Sequence, residues 1–540
     1  MTKRPNVLWV MTDQHRADLT APDGPYTAQV MPTIAAMQAR GATFERAYTS
    51  YPACVPARVS LLTGRFPSAH QVRQNSNAGH AFFAEDLLDV LKQQGYETFF
   101  AGKPHMHRKA ADFDHYRGPY MHTDGPETTE EHRAFDRWLN DLDHGVSHES
   151  TPYPLEAQLP HRIVSDALDD LTAARPDGPT DRPFFALVSF PEPHNPYQVP
   201  EPYYSMFTDL ADQHTRLAGP EAVDQLSWRY QWLRELVEQK RPDFDDEWRR
   251  YLANYLGMLR LIDDQVARLF EGLQGHLDDT IVVFLADHGD YVGEYGMQRK
   301  GAGLSDHLTR IPLVMAGPGI PAGSRTELVS IVDILPTMCG LLGLDLPAGV
   351  QGRDLSPLFR GTPAPDSEFG SMLVELGYGG VAYGSQARPE LHFPYDGRTF
   401  DELNTVTQSG NERMVRRGDK KLIMDDRGET WLYDLATDPA EVTNLADDPA
   451  YATEKAELTA LLARWLMRVG DDLPYGRYTT NVPPANWRWA PQTRGGDGAG
   501  PQTDQKSPRI DQGGIIHDQH LQPSRHDRPR SGRTRPGCRL

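Results

Sequence analysis

Cysteine is scarce in this chain of 540 residues, and long apolar runs are lacking. The three cysteines, Cys54, Cys339 and Cys538, are too few for the disulfide framework of a small secreted domain. No apolar stretch approaches the roughly 20 residues that a membrane-spanning helix needs, so we expect no contact with a membrane. Positive charge is also in deficit, and the net charge of −20 argues against non-specific binding to nucleic acid.

The first residues do not have the pattern of an export signal. The apolar run at residues 7–11 is shorter than the apolar core of a secretory signal, and Asp13 follows it almost at once. We therefore expect a cytoplasmic protein. A chain of this length exceeds one small core, which predicts one large α/β domain and a second, smaller one.

Apolar, β-branched and aromatic runs alternate with helical patterns along most of the chain. The helical patterns include residues 84–94 and 248–272, and a helix at residues 333–342 is predicted to close this domain. Continuous apolar strands separated by helices are typical of a parallel sheet covered on both faces. The fold class is therefore α/β, with a large and mostly parallel sheet between layers of helices. The predicted strands are residues 7–10, 98–101, 184–190, 281–286 and 312–316.

The pattern changes beyond about residue 371. Short alternating runs at residues 413–416, 420–424 and 430–433 are joined by turn-forming pairs, which predicts an antiparallel hairpin sheet. An amphipathic helix at residues 451–469 is predicted to pack on this sheet. The end of the chain is rich in Gly, Gln, Pro and Arg, which predicts disorder. The predicted domains are residues 1–370 (the main domain), 371–490 (a smaller α+β subdomain) and 491–540 (a disordered tail).

The most specific pattern is C-V-P-A-R at residues 54–58, followed by T-G-R at residues 63–65. The proline has a preset φ and no N–H to lose, so it suits the first turn of a helix, and Gly64 suits the position that ends one. The pattern predicts a helix of about two turns that begins just after Cys54, where free N–H groups favour negative charge. Arg58 follows one turn later on the same face. A buried structural cysteine is the alternative interpretation.

Polar side chains follow four of the predicted strands, at the point where each strand ends. In an open parallel sheet, ligands bind beyond the carboxyl ends of the strands. Each of these residues taken alone is as readily a turn, cap or core residue. Their occurrence together, beside the cysteine motif, favours a shared site. The residues are Asp13 and Gln14, Lys103 and His105, His194, and Asp287 and His288.

Together these motifs resemble the formylglycine-dependent sulfatases of the alkaline-phosphatase superfamily, over about residues 5–470. The pattern C-x-P-x-R with T-G-R is specific to that family, in which the cysteine is oxidised to formylglycine. G-K-x-H at residues 102–105, D-H-G at residues 287–289 and K-G at residues 300–301 support the resemblance. It implies an alkaline-phosphatase-like metallohydrolase that cleaves a small sulfate ester to an alcohol and sulfate.

The resemblance also implies a role for each matching residue. The implied ligands of one divalent cation are Asp13, Gln14, Cys54 as formylglycine, Asp287 and His288. The implied catalytic residues are Cys54, Arg58, Lys103, His105, His194 and Lys300, of which His194 and Lys300 also contact the ester. Asn75 matches an asparagine that contacts the sulfate group in the choline-sulfatase and phosphonate-hydrolase branches.

Two residues depart from the commonest sulfatase pattern and bear on the branch and the metal. Gln14 and His288 stand where many sulfatases have aspartate and asparagine, and they resemble choline sulfatases and phosphonate monoester hydrolases. Calcium is our first expectation, but it prefers all-oxygen ligand sets. An imidazole ligand suits manganese better, and magnesium is a further alternative. G-K-P-H at residues 102–105 replaces the more usual G-K-W-H.

The chemistry that the resemblance implies is coherent. A sulfate ester is an anion attacked by an anion, so positive charge must surround the sulfur. The cation polarises a sulfate oxygen and favours ionisation of the aldehyde hydrate. One hydroxyl of the hydrate attacks sulfur while a general acid protonates the leaving alcohol. The second hydroxyl then loses its proton and sulfate is expelled, a step that an ordinary serine could not perform.

Three alternatives stay open. The nearest is a phosphonate monoester or phosphodiester hydrolase with the same nucleophile. The others are a non-catalytic relative that binds an anion or a metal, and a thiol enzyme with unmodified Cys54. We expect a formylglycine-generating enzyme as the maturation partner, and a homo-oligomer is one alternative for the assembly. Long loops at residues 121–153 and 203–246 are predicted to shape the pocket for the alcohol portion of the substrate.

Overall fold

The computed structural model describes residues 4–21, 24, 26–175, 182–377, 394–395, 398–399 and 410–470. The predicted disordered tail at residues 491–540 lies outside these residues. The strands are β1 (Asn6–Asp13), β2 (Ala42–Phe44), β3 (Ala47–Tyr48), β4 (Glu97–Gly102), β5 (His115–Arg117), β6 (Phe184–Pro193), β7 (Thr280–Ala286), β8 (Leu313–Ala316), β9 (Gly323–Arg325), β10 (Val329–Ser330), β11 (Ser371–Leu376), β12 (Pro394–Tyr395), β13 (Arg398–Thr399), β14 (Glu412–Arg417), β15 (Lys420–Asp425) and β16 (Thr430–Asp434).

Helices connect most of these strands. The α-helices are α1 (Thr27–Val30), α2 (Pro32–Arg40), α3 (Cys54–Thr63), α4 (Pro67–His70), α5 (Leu87–Gln93), α6 (Glu130–Asp141), α7 (Leu159–Ala173), α8 (Tyr203–Met206), α9 (Thr208–Gln213), α10 (Trp228–Lys240), α11 (Phe244–Gly272), α12 (Asp306–Thr309), α13 (Ile334–Leu342), α14 (Ser356–Phe359), α15 (Asp366–Phe369) and α16 (Ala452–Val469). Single 3₁₀ turns lie at Ala17–Leu19, Ala78–His80, Ala110–Asp112, Leu155–Ala157, Leu277–Asp279, Glu294–Gly296, Ile331–Asp333 and Pro449–Tyr451, with a longer one at Pro220–Gln225. None of the helices in the described part of the chain is long and apolar enough to span a membrane.

The large sheet has eight strands in the order β5-β4-β6-β1-β7-β8-β2-β9. Adjacent strands from β5 to β7 are parallel to one another. The β8 strand is antiparallel to both β7 and β2, and β9 is parallel to β2. All five predicted strands are present, and the mostly parallel α/β fold class is confirmed. The β1 strand is central, so its carboxyl end lies at the middle of the sheet edge where ligands are expected.

Helices cover both faces of this sheet because alternate side chains of each strand point to opposite faces. On β1, Val7 and Trp9 pack into one buried apolar cluster, and Leu8 and Val10 pack into another. The first cluster includes residues of α3, α5 and α13. The second includes residues of α7 and of the 29-residue α11. Because helices cover both faces of the sheet, every side chain of a central strand is buried, and the strands are continuously apolar.

The C-terminal sheet is antiparallel, in the order β11-β14-β15-β16. The predicted hairpin strands and the predicted helix, here α16, are confirmed. Leu458, Leu462 and Trp465 of α16 pack with Leu422 and Leu432 of the sheet. The β11 strand was not predicted, since it shows no hairpin signal beside the other three. The domain boundary between residues 370 and 371 stays a prediction.

Two local expectations need correction. The α3 helix begins at Cys54 itself rather than after it, and its ten residues are all buried. Ala53 is the extended residue before the helix, and Gly64 ends it with a φ of 64°, a value that favours glycine. The predicted loops at residues 121–153 and 203–246 contain helices α6 and α8–α10.

Candidate active site

Four side chains from three elements meet at the carboxyl edge of the large sheet. Asp13 ends β1, Asp287 and His288 follow β7, and Cys54 begins α3. All four are buried, and one ligand atom of each lies within 4.8 Å of the others. The Cys54 Sγ atom lies 3.4 Å from Asp13 Oδ1 and 3.3 Å from His288 Nε2. The thiol therefore lies within the four-residue cluster, in contact with Asp13 and His288.

Strand register explains why the two carboxylates are neighbours. The β1 and β7 strands are parallel and paired up to Thr12 and Ala286, so Asp13 and Asp287 lie side by side where the strands end. The Asp287 carboxylate is held in turn by the backbone. Its Oδ1 atom accepts hydrogen bonds from the N–H groups of Gln14 at 3.1 Å and His288 at 2.9 Å.

The donor set of this four-residue cluster fits a divalent cation. Asp13 Oδ1 and Asp287 Oδ1 lie 3.7 and 3.6 Å from His288 Nε2. Metal–ligand bonds of about 2.0–2.6 Å separate adjacent ligands by roughly these distances. His288 Nδ1 lies 2.9 Å from the Gly289 carbonyl oxygen, which can only accept, so Nδ1 carries the proton and Nε2 presents its lone pair. Burial lowers the pKa of His288 to about 4, which keeps the ring neutral, as a metal ligand must be.

Lys103 and Arg58 neutralise Asp13 through its Oδ2 atom, whereas Cys54 contacts its Oδ1 atom. Lys103 Nζ lies 2.5 Å from Asp13 Oδ2, and Arg58 Nη2 lies 3.0 Å from the same oxygen. Burial by itself would raise the pKa of Asp13, but the charges of Lys103 and Arg58 lower it well below its usual value. The carboxylate is therefore ionised, and its Oδ1 atom faces Cys54.

Arg58 is fixed by acceptors around its whole guanidinium. Its Nε atom donates to Asp287 Oδ2 at 2.8 Å, and its Nη1 atom donates to the Lys103 carbonyl and the Ser189 hydroxyl, both at 2.9 Å. A planar guanidinium suits such divergent acceptors better than an ammonium would. The one-turn spacing from Cys54 to Arg58 thus brings both residues to the same site, as predicted.

Gly102 explains how Lys103 reaches the cluster. The φ of Gly102 is 121°, and a Cβ atom there would lie 1.9 Å from the Ser189 carbonyl oxygen. Only glycine allows the end of β4 to approach β6 so closely. The Lys103 N–H group then donates to the same carbonyl at 2.8 Å. The glycine of the G-K-x-H pattern therefore has a steric role.

The side chains of Gln14 and Lys300 contact each other beside the cluster. Lys300 Nζ lies 2.6 Å from Gln14 Oε1, and Gln14 Nε2 lies 2.6 Å from Asp290 Oδ2. The hydroxyls of Tyr197 and Tyr251 also donate to Asp290, at 2.8 and 2.6 Å. This network fixes the amide of Gln14 with its oxygen towards Lys300. Its role as a metal ligand stays a prediction.

Asn75 lies at the first turn of α3. Its Oδ1 atom accepts a hydrogen bond from the Val55 N–H group at 3.1 Å. Side-chain oxygens commonly satisfy the free N–H groups at a helix start in this way. Asn75 is thus adjacent to Cys54, and its contact with a sulfate group stays a prediction.

Three histidines lie beside Lys103. His194 and His105 were predicted, and the ring of a third, His122, stacks on His194 with centroids 3.6 Å apart. The His105 ring centroid lies 6.0 Å from that of His122. Burial lowers the pKa of all three rings well below 6.5, so they are neutral at pH 7. His194 Nδ1 lies 3.0 Å from the Asn195 carbonyl oxygen and therefore carries the proton.

The environment of Cys54 is unlike that of a thiolate nucleophile. Burial raises the pKa of the thiol to about 11, and the nearby Asp13 carboxylate acts in the same direction. Reactive cysteines lie in partly exposed, electropositive surroundings that lower the pKa. The Cys54 thiol is therefore protonated at pH 7 in these surroundings.

The site contains residues that the sequence did not identify. Asp290 directly follows the D-H-G pattern, and this proximity could have pointed to it. Ser189 lies inside a predicted strand, and His122 and Tyr197 lie in connecting segments without a motif. Only the tertiary contacts bring these three residues to the site.

Comparison with known proteins agrees with this site. The family model described as Sulfatase matches residues 5–344. The chain is 27% identical to the choline-sulfatase of Rhizobium meliloti (strain 1021) over 492 residues, which is 87% of this chain and 88% of that protein. It is 26% identical to an arylsulfatase of Clostridium perfringens (strain 13 / Type A), over 86% of this chain and 94% of that protein.

Solved structures share the fold. The crystal structure of the phosphonate monoester hydrolase of Agrobacterium radiobacter superimposes with a TM-score of 0.69 and 23% sequence identity, and the match covers 86% of this chain and 96% of that chain. This likeness confirms the fold, with its large and mostly parallel sheet between helices and its smaller antiparallel sheet. The family match extends over most of the chain and includes the C-x-P-x-R block and the four-residue cluster. The chain therefore belongs to the sulfatase family and is an enzyme of that family.

Proposed function

We propose that this protein hydrolyses a small sulfate ester, with formylglycine at position 54 as the nucleophile and one divalent cation as cofactor. The observation that carries the proposal is the position of Cys54. Its Sγ atom lies within 3.4 Å of both Asp13 Oδ1 and His288 Nε2, at the start of a buried helix. A hydroxyl at this position would be next to a cation and at the N-terminus of the helix, where the helix dipole favours negative charge.

Asp13, Asp287 and His288 would hold the cation, with position 54 and Gln14 completing the ligand set. When bound, the cation supplies Lewis acidity for a sulfate oxygen and for the hydrate. Two carboxylates favour calcium, our first proposal, whereas the imidazole of His288 favours manganese, and magnesium is the third choice.

The charges around the cluster suit an anionic ester even though the whole chain is acidic. Arg58, Lys103 and Lys300 supply three positive charges next to the carboxylates of Asp13 and Asp287. A divalent cation would make the site strongly positive, as the developing charge at sulfur requires. In this proposal Arg58 and Lys103 hold the nucleophile and neutralise the sulfuryl group.

The remaining polar residues would act on the ester and the leaving alcohol. Lys300 carries protons close to the site, and His194 presents its Nε2 atom, since its Nδ1–H group is bound to a carbonyl. We assign the protonation of the leaving oxygen to these two residues, His194 acting as the imidazolium that the negative charge of the bound ester would favour. We assign turnover of the sulfated nucleophile to His105. Asn75 would contact the sulfate group through its amide N–H₂. The geminal diol of formylglycine supplies one hydroxyl for attack and a second whose deprotonation releases sulfate.

A phosphonate monoester hydrolase is the second candidate. The observation in its favour is the pair Gln14 and His288, both within this site. A sulfate monoester and a phosphonate monoester are both tetrahedral monoanions, so the positive charge of the site serves either.

Maturation by a formylglycine-generating enzyme and a cytoplasmic location are also part of the proposal.

Mass spectrometry and paired kinetics test the proposal. We expect the tryptic peptide 47–58 to carry formylglycine after co-expression with a maturation enzyme, while Cys339 in the same digest stays a thiol. We also expect kcat/KM to be higher for an aryl sulfate than for the matched aryl phosphonate ester. A peptide that contains only the thiol refutes the nucleophile, and preference for the phosphonate establishes the second candidate instead. A modified protein without activity on either ester indicates a non-catalytic relative.

A further inference from the structure

A histidine outside the predicted set, His122, lies between two residues of the proposed mechanism. Its ring is nearly parallel to that of His194, with an interplanar angle of 9° and centroids 3.6 Å apart. Its Nδ1 and Nε2 atoms lie 3.3 and 3.4 Å from Lys103 Nζ. The His122 ring therefore contacts both Lys103, which is proposed to neutralise the sulfuryl group, and His194, which is proposed to protonate the leaving alcohol.

The contact with His122 completes the hydrogen bonding of Lys103. An ammonium has three N–H donors. The structure provides three acceptors, which are Asp13 Oδ2 at 2.5 Å, Cys54 Sγ at 3.8 Å and a ring nitrogen of His122. The acceptor at position 54 changes when a nucleophile or substrate occupies the site. Asp13 and His122 are then the two fixed contacts that orient the ammonium.

The stacking contact restricts His194 in a similar way. The bond from Nδ1 of His194 to the Asn195 carbonyl fixes one edge of the ring, at 3.0 Å. The parallel ring of His122 fixes the plane of His194, because rotation about the remaining torsion would break the stack. Together these contacts set the direction of Nε2, the atom available to the ester.

The backbone holds His122 in place. The Tyr120 N–H group donates to the Gly102 carbonyl at 3.0 Å, and the Met121 N–H group donates to the Asp124 carbonyl at 2.7 Å. The first bond ties the segment that carries His122 to the residue before Lys103. This backbone hydrogen bond therefore fixes the position of the His122 segment relative to that of Lys103.

We propose that His122 is a positioning residue for sulfate-ester hydrolysis, which orients the Lys103 ammonium by accepting its hydrogen bond and orients the His194 ring by stacking. This inference rests on the function proposed above. The two contacts predict two separable defects. Loss of the acceptor affects every substrate through Lys103, whereas loss of the stack affects mainly esters whose alcohol needs protonation.

Two substitutions separate these contacts. His122→Phe keeps a stacked ring but removes the acceptor, and His122→Gln keeps an acceptor but removes the ring. The substrates are 4-nitrophenyl sulfate, whose leaving group needs little protonation, and a simple alkyl sulfate, whose leaving group needs much. His132→Ala is the matched control, because His132 lies on the same connecting region and contacts Thr128 rather than the site.

For His122→Phe we expect kcat/KM to fall by about tenfold to a hundredfold on both esters, as misplacement of a catalytic group typically costs. For His122→Gln we expect a loss of about a hundredfold on the alkyl ester and only a few-fold on the aryl ester, since general acid catalysis is worth about that much. His132→Ala should match the wild type. Melting temperature and formylglycine content, measured for every variant, distinguish these effects from unfolding or failed maturation.

Titration with inorganic sulfate by calorimetry gives a readout without turnover, and we expect weaker binding in His122→Phe than in the wild type. Folded and modified variants that bind sulfate and hydrolyse both esters within twofold of the wild type would overturn the role of His122 while leaving the proposed function intact. If the wild-type protein prefers phosphonates, the same variants are compared on an aryl and an alkyl phosphonate ester. A wild type inactive on all esters refutes the proposed function, and unchanged sulfate binding in His122→Phe would then also refute the orientation of Lys103.

Discussion

The Nε atom of Arg58 lies 2.8 Å from Asp287 Oδ2, and both side chains are almost completely buried. The Nη2 atom of the same guanidinium lies 3.0 Å from Asp13 Oδ2. One arginine thus joins the two carboxylates of the proposed cation site. A buried ion pair is weak evidence for stability, but removing one partner leaves an uncompensated buried charge.

We therefore predict that Arg58→Ala destabilises the folded protein by about 3–5 kcal/mol, the usual cost of breaking a buried pair. Arg58→Lys should be intermediate, because an ammonium cannot bond to all the acceptors of a guanidinium. Chemical denaturation measures both. Arg133→Ala is the control, since the Arg133–Glu130 pair is exposed to solvent and should contribute little to stability. An Arg58→Ala variant as stable as this control would contradict the prediction.

Removing one carboxylate should remove the cation. Asp287→Asn keeps the size and the acceptor oxygen that binds two backbone N–H groups, but it removes the charge that a hard cation needs. We expect elemental analysis to find about one divalent ion per wild-type chain and none in the variant, with loss of activity. Added metal should raise the melting temperature of the wild type only, since a ligand stabilises the state that binds it.

Asp263→Asn is the matched control for this experiment. Asp263 is also a buried aspartate that accepts two backbone N–H bonds, from Thr33 and Ile34, but it lies outside the four-residue cluster. We expect this variant to keep the metal. Stoichiometric metal and normal turnover in Asp287→Asn would show that the cation lies elsewhere.

Asn75 combines a structural contact with a predicted substrate contact, and two variants separate them. Asn75→Ala removes the acceptor for the Val55 N–H group and should cost about 1 kcal/mol of stability, as loss of a helix cap does. Asn75→Asp keeps an acceptor oxygen but replaces the amide N–H₂ with negative charge. We expect nearly wild-type stability and a KM raised by about tenfold or more, since like charges repel the ester. A wild-type KM for Asn75→Asp would show that Asn75 serves only the helix.

His307 should make the fold sensitive to acid. Burial lowers the pKa of His307 from 6.5 to about 4, so the folded chain binds this proton less readily than the unfolded chain. Its contribution to stability is therefore present above pH 6.5 and is lost as the pH falls towards 4, by roughly 3 kcal/mol in all. Denaturation curves of His307→Gln should show a shallower decrease over this range than those of the wild type. Parallel curves for the two proteins would refute the assignment.

Local signals predicted much of this molecule. Apolar runs such as residues 184–190 identify buried strands because a strand covered on both faces needs apolar side chains at every position. The glycine at residue 64 identifies the end of a helix because few other residues adopt its backbone conformation. The C-x-P-x-R block indicated the family, and the family match confirms it.

Contacts between distant segments decided the rest. The start of α3 differed from the prediction because Cys54 takes a helical conformation inside a fully buried environment, where packing outweighs local preference. The β8 strand is antiparallel to both of its neighbours, yet it has the same apolar sequence pattern as the parallel strands of the sheet. An apolar run does not indicate the direction of a strand. The β11 strand is defined by its pairing with β14, about forty residues later.

The same division applies to the site. The sequence alone identified Asp13, Cys54, Asp287 and His288 as one group, because each lies in a motif or at a strand end where chemistry is expected. His122 has neither signal. Its importance arises from a stack on His194 and a contact with Lys103, made by side chains that lie 72 and 19 residues away. Local sequence determines which residues can do chemistry, but only the folded chain determines which of them meet, because these distances depend on the packing of the whole sheet edge.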